Sequence, residues 1–431
     1  MSDAQVLIVG AGPAGSATAW ALARSGTDVL LLDRARFPRD KTCAEYLSPQ
    51  ASRILFDMGA LDACERAGAA HLAGMLVRAP GGATLRGDFV AAHGFRGFRD
   101  RGLALRRTVL DNILLGRARA AGARVLEGAR VSDVTRDARG RVSGVRLIPE
   151  NGGAAELRAA IVVGADGLRS IVARRLSLAH RARLPRRLAF VAHFEGIGDV
   201  GAYGEMHVER DGYVGLANVG HGLTNVALVV PHARAREVSG DAARFLDSWI
   251  RRRPHLAPRF TRAARVTPVR ATGPFAARAR RSWVPGAALV GDAADFFDPF
   301  TGEGIYNALR GGELLGESLL PALVDGSPRS LDSALATYDR ARRREFAAKS
   351  RVERLLGVAV SFPPLMDRLT SALARHKDMA DLLVGVAGDF IPAREVLSAR
   401  FVTRLLLAAL GAPERDRVRH PAKAPSAPAR R

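Results

Sequence analysis

The sequence predicts an α/β protein with a mixed, mostly parallel sheet, an antiparallel β-rich second domain and a helical C-terminal region. Three observations predict this fold. At the N-terminus, short apolar strand patterns flank an Ala-rich helical pattern, as in a βαβ unit. From 186 to 272 the apolar residues alternate as in antiparallel strands. From 330 to 410 the pattern is mainly helical, broken by Pro363, Pro364 and Pro392.

The first βαβ unit comprises a strand over 5–9, a helix over 13–24 and a strand over 28–32. A helix is expected over about 108–120, and further strands are expected near 75–78, 84–89, 124–126, 131–136, 141–148 and 156–163. In the β-rich stretch the clearest strands are 206–209, 212–217 and 225–230, with one helix over 241–252. A strand and turn over 287–292 return to the first sheet, and a helix over about 304–320 follows them.

Composition and length indicate the broad class of protein. With 431 residues, 48% of them hydrophobic, the chain can bury a full core in two or three domains. No apolar run reaches the roughly 20 residues that span a bilayer, and the N-terminus lacks a basic secretory signal, so we expect a cytoplasmic protein. The only cysteines are Cys43 and Cys64, and the histidines show no ligand spacing. We therefore expect neither a disulfide framework nor a metal site.

The formal net charge of +22 raises the question of nucleic-acid binding. The cations are nearly all Arg, spread along the whole chain, and no nucleic-acid reader motif accompanies them. We therefore expect no nucleic-acid partner. A basic surface can still attract acidic substrates or anionic lipid head groups, which leaves a peripheral membrane contact open.

A glycine-rich loop joins the first strand to the first helix. Gly10, Gly12 and Gly15 form a G-x-G-x-x-G pattern, and Asp33 ends the second strand. Glycines allow a tight turn and close approach to a pyrophosphate, the helix N-terminus attracts the anion, and the acid accepts from ribose hydroxyls. A glycine turn without a ligand is the alternative. The triplet, strand, helix and acid together predict a Rossmann-like dinucleotide-binding domain.

Two later segments place an Asp directly after a strand. They are GADGLRS, with Asp166, and GDAADFFDPFTGEGI, with Asp292. Each Asp either reaches a cofactor hydroxyl or orders a turn before a helix. In the second segment Pro299 fixes the backbone, while the glycines around Glu303 let the chain pass close to a flat ring. We expect Glu303 to be a solvated or helix-start carboxylate rather than a catalytic acid, which is the alternative.

Together these segments resemble the FAD-dependent oxidoreductases of the p-hydroxybenzoate hydroxylase-like superfamily, in particular group A flavoprotein monooxygenases and the branch near geranylgeranyl reductases. The resemblance covers about 5–320. It implies non-covalent FAD, with NAD(P)H as a transient electron donor. It also implies that ALRRTVLDNILL contacts the cofactor through Arg107 and that FPRDKTCAEYLSP lies beside the flavin, with Ala44 in place of the usual Gly. The expected cofactor-binding residues are Gly10, Gly12, Pro13, Ala14, Gly15, Asp33, Arg34, Cys43, Arg107, Asp166, Asp292, Pro299, Gly302, Gly304 and Ile305.

This family likeness gives the expected domains their roles. Residues 1–70, 101–180 and 281–325 form a discontinuous FAD-binding domain, and 71–100 and 181–280 form the β-rich substrate domain. Residues 326–412 form the C-terminal helical region. We expect 413–431 to be a disordered basic tail, because it has almost no large apolar residue.

Several activities share this cofactor core. Trp20, Trp249 and Trp283 lack the Trp-x-Trp-x-Ile-Pro context of halogenases, and 213–217 lacks the aromatic-x-Trp-x-Phe-Pro element of geranylgeranyl reductases. We therefore expect a monooxygenase that uses dioxygen to hydroxylate an aromatic or polyketide-type small molecule. A reductase of isoprenoid double bonds is the alternative, and a non-enzymatic flavin-binding protein is the third reading. The candidate catalytic residues are Cys43, Tyr213 and Pro299, although Cys43 and Tyr213 are also residue types that commonly serve as packing.

Overall fold

A mixed eight-stranded sheet forms the framework of the N-terminal region. The computed structural model describes residues 2–148, 155–181, 186–238, 240–275 and 277–411, so the tail expected over 413–431 lies outside the described residues. The parallel strands of the sheet are, in spatial order, Ala287–Leu289, Ala155–Gly164, Ala4–Val9, Val29–Asp33 and Arg124–Glu127. Antiparallel partners at its edges are Trp283–Val284, Val142–Ile148 and Arg130–Arg136.

The carboxyl-terminal halves of the central strands, at 6–9 and 161–164, are buried and lack polar side chains because both faces of this sheet are covered. The helix Pro13–Ala23 packs closely against a second helix, Gly304–Asp325. A Cβ atom at Gly312 would lie 2.8 Å from the backbone nitrogen of Thr18, and one at Gly316 would lie 2.8 Å from Cβ of Ala21. The small residues on both helices therefore set their close approach.

A second eight-stranded sheet is mainly antiparallel. Its strands are, in spatial order, Ala264–Arg265, Arg187–Glu195, Leu223–Pro231, Gly212–Asn218, Tyr203–Glu209, Gly74–Arg78 and Thr84–Asp88, and Arg270–Thr272 also pairs with Arg187–Glu195. Side chains alternate between its two faces, as the strand period requires. Phe190 packs toward the helix Ala242–Arg251, whereas Ala189 and Val191 face the opposite side.

The C-terminal region is helical. Its helices are Pro328–Ser361, Pro363–Arg375, Lys377–Ala387 and Ala399–Leu410. The first packs against Gly304–Asp325, and the next two cover the strand Thr84–Asp88. No helix in the described ranges has the length and apolarity needed to cross a membrane.

Shorter elements complete the described chain. The remaining helices are Ala51–Asp57, Leu61–Arg66, Arg107–Ala120 and Ile171–Arg175. There are also two three-stranded sheets. One contains Tyr46–Leu47, Gly102–Ala104 and Ala70–Leu72. The other contains Ala179–Arg181, Ala277–Ala279 and Asp295–Phe296.

The predicted fold class is confirmed, and most predicted elements lie within a few residues of their expected bounds. The helix expected to end near 320 continues to Asp325, because the chain accommodates Pro321 inside it. The strand Arg187–Glu195 was not singled out from the sequence, although it pairs along its whole length with Leu223–Pro231. The domain boundaries stay a prediction.

A buried ion pair connects the second sheet to the rest of the protein. Nη1 of Arg187 lies 2.5 Å from Oδ2 of Asp298. Nη2 of the same guanidinium donates to the carbonyl of Gly357 at 3.0 Å and to Oγ of Ser361 at 2.7 Å. The pair therefore holds together a sheet strand, the turn at Asp298 and the end of the helix Pro328–Ser361.

Removing one member of this pair should destabilise the protein strongly. We expect Arg187→Met to lower the free energy of unfolding by about 3–5 kcal/mol, because it leaves the Asp298 carboxylate buried without its cation. Arg124→Met is the control, since Arg124 and Asp28 form an exposed pair that should contribute about 1 kcal/mol or less. Urea-induced unfolding measures both, and equal small losses would contradict the prediction.

Candidate active-site cleft

A deep cleft lies between the parallel sheet and the second sheet. The loop at Gly12 and the turn at Asp292 line one end of it, beyond the carboxyl ends of the parallel strands. Ligands of such sheets bind at this edge. The inner face of the second sheet lines the other end, through side chains such as Val191 and Val229.

The glycine loop has the geometry that its sequence predicts. Gly10 has φ +103, and a Cβ atom there would lie 2.5 Å from the carbonyl oxygen of Ala165. A Cβ atom at Gly15 would lie 1.8 Å from the carbonyl oxygen of Gly10. The helix begins at Pro13, with Gly12 as its N-cap, so its first N–H groups have no intrahelical partner.

Two guanidinium groups lie next to this helix N-terminus. A Cβ atom at Gly12 would lie 3.4 Å from Nη2 of Arg39 and 3.9 Å from Nη2 of Arg107. Asp111 holds both cations: Arg107 donates two bonds to it at 2.6 and 2.7 Å, and Arg39 lies 3.0 Å from it. Two cations beside free N–H groups are suited to a diphosphate. Arg39 was missed from the sequence, where only its place in the segment resembling the flavin loop points to it.

Asp33 lies at the end of its strand, as predicted. Its Oδ2 accepts from the backbone N–H of Ala11 at 2.8 Å, and its Oδ1 accepts from that of Ala35 at 2.8 Å. The carboxylate therefore orders the glycine loop and keeps further lone pairs for a ligand. The neighbouring Arg34 is exposed and is not among the residues that line the cleft.

The two predicted Asp turns differ in what their carboxylates do. Oδ2 of Asp166 accepts from the backbone N–H of Ile171 at 2.6 Å, so this residue orders the turn before a short helix. Burial raises the pKa of Asp166, although these hydrogen bonds oppose the shift. Asp292 instead lines the cleft, with Nζ of Lys41 4.0 Å from its carboxylate.

The segment from Pro299 to Ile305 forms one wall of the cleft. Pro299–Thr301 is a 3₁₀ turn, and Gly302 follows it with φ +74. A Cβ atom at Gly302 would lie 2.7 Å from the ring of Tyr46. A long helix then begins at Gly304, so its N-terminal amides lie at the wall, with Ile305 buried behind them.

The structure differs from our expectation for Glu303, which lies in the same segment. We expected a solvated or helix-start carboxylate, but its side chain is only 3% exposed. It does precede the first residue of the helix, and Nζ of Lys349 lies 3.1 Å from its Oε2. Glu303 is buried because the helix Pro328–Ser361, which carries Lys349, covers this side of the cleft.

The predicted flavin loop depends on a residue that sequence reasoning missed. Glu45 is 1% exposed and has φ +63, so it takes the left-handed conformation, and Ala44 does not. Its Oε1 accepts from the backbone N–H of Arg107 at 2.8 Å. Its Oε2 accepts from Nδ2 of Asn225 at 3.0 Å and lies 2.7 Å from Nε2 of His193.

The three candidate catalytic residues all line the cleft. Cys43 is half-buried, and its sulfur accepts from the backbone N–H of Glu45 at 3.3 Å. Tyr213 is fully buried and donates its hydroxyl proton to Oδ1 of Asp298 at 2.6 Å. Burial and the Asp298 carboxylate raise the pKa of Tyr213 well above its ordinary value. Pro299 shapes the wall and carries no reactive group.

The residues of this cleft fit FAD. The space at Gly12, the helix N-terminus and the guanidinium groups of Arg39 and Arg107 suit a diphosphate, and Asp33 lies where a ribose is bound in this fold. Among the described residues no group of three or more His, Cys, Asp or Glu side chains could hold a metal ion.

Known proteins share this arrangement. A family model described as FAD binding domain matches residues 3–352. Digeranylgeranylglycerophospholipid reductase 2 of Methanopyrus kandleri is 29% identical over 406 residues, which make up 92% of this chain and 96% of that protein. Menaquinone reductase of Mycolicibacterium smegmatis is 29% identical over 402 residues, covering 90% of this chain and 92% of that protein.

A solved structure shows the same fold over nearly the whole chain. The flavoprotein/dehydrogenase from Cytophaga hutchinsonii superposes with a TM-score of 0.82 at 19% identity, covering 95% of this chain and 99% of that one. The family match, the cleft and this superposition agree with one another. The chain therefore belongs to the FAD-dependent oxidoreductases of the p-hydroxybenzoate hydroxylase-like superfamily.

Proposed function

We propose that this protein is an FAD-dependent reductase that saturates a carbon–carbon double bond in an apolar, isoprenoid-type lipid. NAD(P)H is the electron donor typical of its family. This assigns it the reaction that the sequence analysis held as the alternative to hydroxylation. Two relatives that align over about nine-tenths of the chain are reductases named for digeranylgeranylglycerophospholipid and menaquinone.

The proposal rests on the wall that the second sheet forms along the cleft. Most of its side chains are small and apolar, as at Ala189, Val191, Met206, Ala227 and Val229. Tyr213 and Thr272 are its polar members, and the Tyr213 hydroxyl is bonded to Asp298. Small apolar side chains leave space for a hydrocarbon group and give it no polar partner. Such a wall favours an alkyl or alkenyl chain over a polar ring.

The surrounding residues bind and orient the reactants. When bound, FAD supplies the hydride. Arg39, Arg107 and the amides at Pro13–Ala23 hold its diphosphate, while the apolar wall excludes water from the reacting carbons. The N-terminus of Gly304–Asp325 favours negative charge in the cleft by about 0.3–1 kcal/mol, and by more where it is buried. Negative charge accumulates on a reduced flavin, so this helix favours the reduced state.

Hydroxylation of an aromatic or polyketide-type molecule is the second candidate. The observation that favours it is the sequence of 213–217, where Tyr213 and Gly215 stand in a strand without the Trp and Pro typical of geranylgeranyl reductases. The two activities differ in their need for dioxygen, and this difference separates them by experiment.

FAD binding should depend on the space at Gly12. We expect Gly12→Leu to lower bound FAD at least tenfold, about 1.4 kcal/mol or more, because the side chain would occupy the site beside Arg39 and Arg107. Gly116→Leu is the matched control, since a Cβ atom at Gly116 meets nothing within 4 Å. The ratio of flavin to protein absorbance after gel filtration measures both. Full FAD content in the Gly12 variant would contradict this assignment.

The reaction should proceed without dioxygen. We expect the anaerobic, dithionite-reduced protein to convert a digeranylgeranylglycerophospholipid into a product two hydrogens heavier per double bond, as the flavin is reoxidised. Mass spectrometry and the flavin absorbance measure the two changes together. Incorporation of one atom of labelled dioxygen into an aromatic substrate, with no anaerobic product, would instead establish the hydroxylase.

A further inference from the structure

A group of mostly buried charged side chains lies at the wall of the cleft. It comprises Glu303, Lys349, Glu353 and Asp389, which we call the carboxyl cluster. Lys349 forms ion pairs with both Glu303 and Asp389, and its Nζ lies 4.8 Å from the ring centre of Tyr306. Glu303 and Glu353 both line the cleft.

The hydrogen bonding of this cluster requires a proton. Oε2 of Glu303 is buried and has no aligned hydrogen-bond donor among the described residues. The carboxyl group of Glu353 lies close enough to Glu303 for the two groups to interact. Two carboxylates are both acceptors, so a hydrogen bond between them exists only when one carries a proton.

The charge balance of the cluster leads to the same conclusion. Three carboxyl groups surround one lysine, so full ionisation would leave two uncompensated negative charges in a buried space. Like charges that share a buried site do not both stay ionised. A single proton on the Glu303–Glu353 pair removes one of these charges and supplies the missing donor.

We propose that Glu353 holds a proton shared with Glu303 at neutral pH, and that Glu353 is the proton donor for the reaction in the cleft. The donor role rests on the proposed reductase function. In that reaction the π electrons of the alkene form one new C–H bond with the Glu353 proton, and a hydride that reduced FAD would supply forms the other at the adjacent carbon. Glu353 is left as a carboxylate and FAD would be left oxidised. A proton from water restores the acid.

The groups around Glu353 bias it toward its neutral form. Burial and the Glu303 carboxylate raise the pKa of Glu353 well above its ordinary value, Asp295 adds to the rise, and Lys349 opposes it. Tyr46 lies beside Glu303, and Tyr306 lies beside Lys349. Because the pKa is raised, Glu353 keeps its proton below that value, and donation is lost as the pH rises through it.

Infrared spectroscopy of the FAD-bound protein tests where the proton is held. We expect a protonated-carboxyl band at pH 7 that is missing in Glu353→Gln. In Glu303→Gln the band should disappear at a lower pH than in the wild type, because the repelling charge is gone. Glu345→Gln is the control, since Glu345 is an exposed residue of the same helix and should keep the band. FAD content and thermal unfolding establish that each variant is folded.

Single-turnover kinetics tests the donor role. We expect Glu353→Gln to slow reoxidation of the dithionite-reduced flavin by digeranylgeranylglycerophospholipid vesicles by about 10²–10⁴-fold. Reduction by dithionite itself should not change, and Glu345→Gln should react as the wild type does.

The outcomes separate the two proposals. A carboxyl band that persists in Glu353→Gln overturns the location of the proton, whatever the kinetics. Loss of the band with an unchanged turnover rate overturns the donor role. A wild-type protein that shows the band but does not reduce the lipid overturns the proposed function, while the shared proton stands.

Discussion

The buried carboxylate of Glu45 joins the parts of the protein that form the cleft. It accepts hydrogen bonds from the start of the helix Arg107–Ala120 and from Asn225 of the second sheet, and it contacts His193 of the neighbouring strand. Asn225 also donates to the carbonyl of Cys43 at 2.9 Å. A buried carboxylate must keep such partners, because an unpaired one is costly. The loop at Cys43 is therefore fixed to the second sheet and to the helix Arg107–Ala120 at once.

Ion pairs between arginines and carboxylates join other parts of the molecule in the same way, and they explain part of the basic composition. Arg187 pairs with Asp298, Arg107 with Asp111 and Arg259 with Glu205, each at 2.6 Å or less. The planar guanidinium makes several directed bonds to carboxylates and carbonyls, so it is well suited to buried positions. These arginines thus connect elements of the fold.

Local patterns could be predicted from the sequence, and contacts between distant segments could not. The loop at Gly10 and the acid at Asp33 belong to one βαβ unit, so their spacing alone identified them. The roles of Arg39 and Glu353 depend on contacts that form only when the chain folds. Arg39 contacts Asp111, which is 72 residues away in the sequence, and Glu353 contacts Glu303, which is 50 residues away. The sequence around each residue does not show these partners. The place of Glu303 at a helix start was expected, but its burial was not, because the helix that buries it comes later in the chain.

The order of strands in the parallel sheet has a consequence for biosynthesis. The strand Ala287–Leu289 is a parallel partner of Ala155–Gly164, which itself pairs with Ala4–Val9. The helix that completes the cleft wall begins at Gly304. A ribosome must therefore synthesise about three-quarters of the chain before the N-terminal loop meets its last neighbours. Contacts this distant in sequence make folding slow. The complete binding cleft therefore exists only after most of the chain has been synthesised, and the nascent N-terminal segment has an incomplete sheet until then.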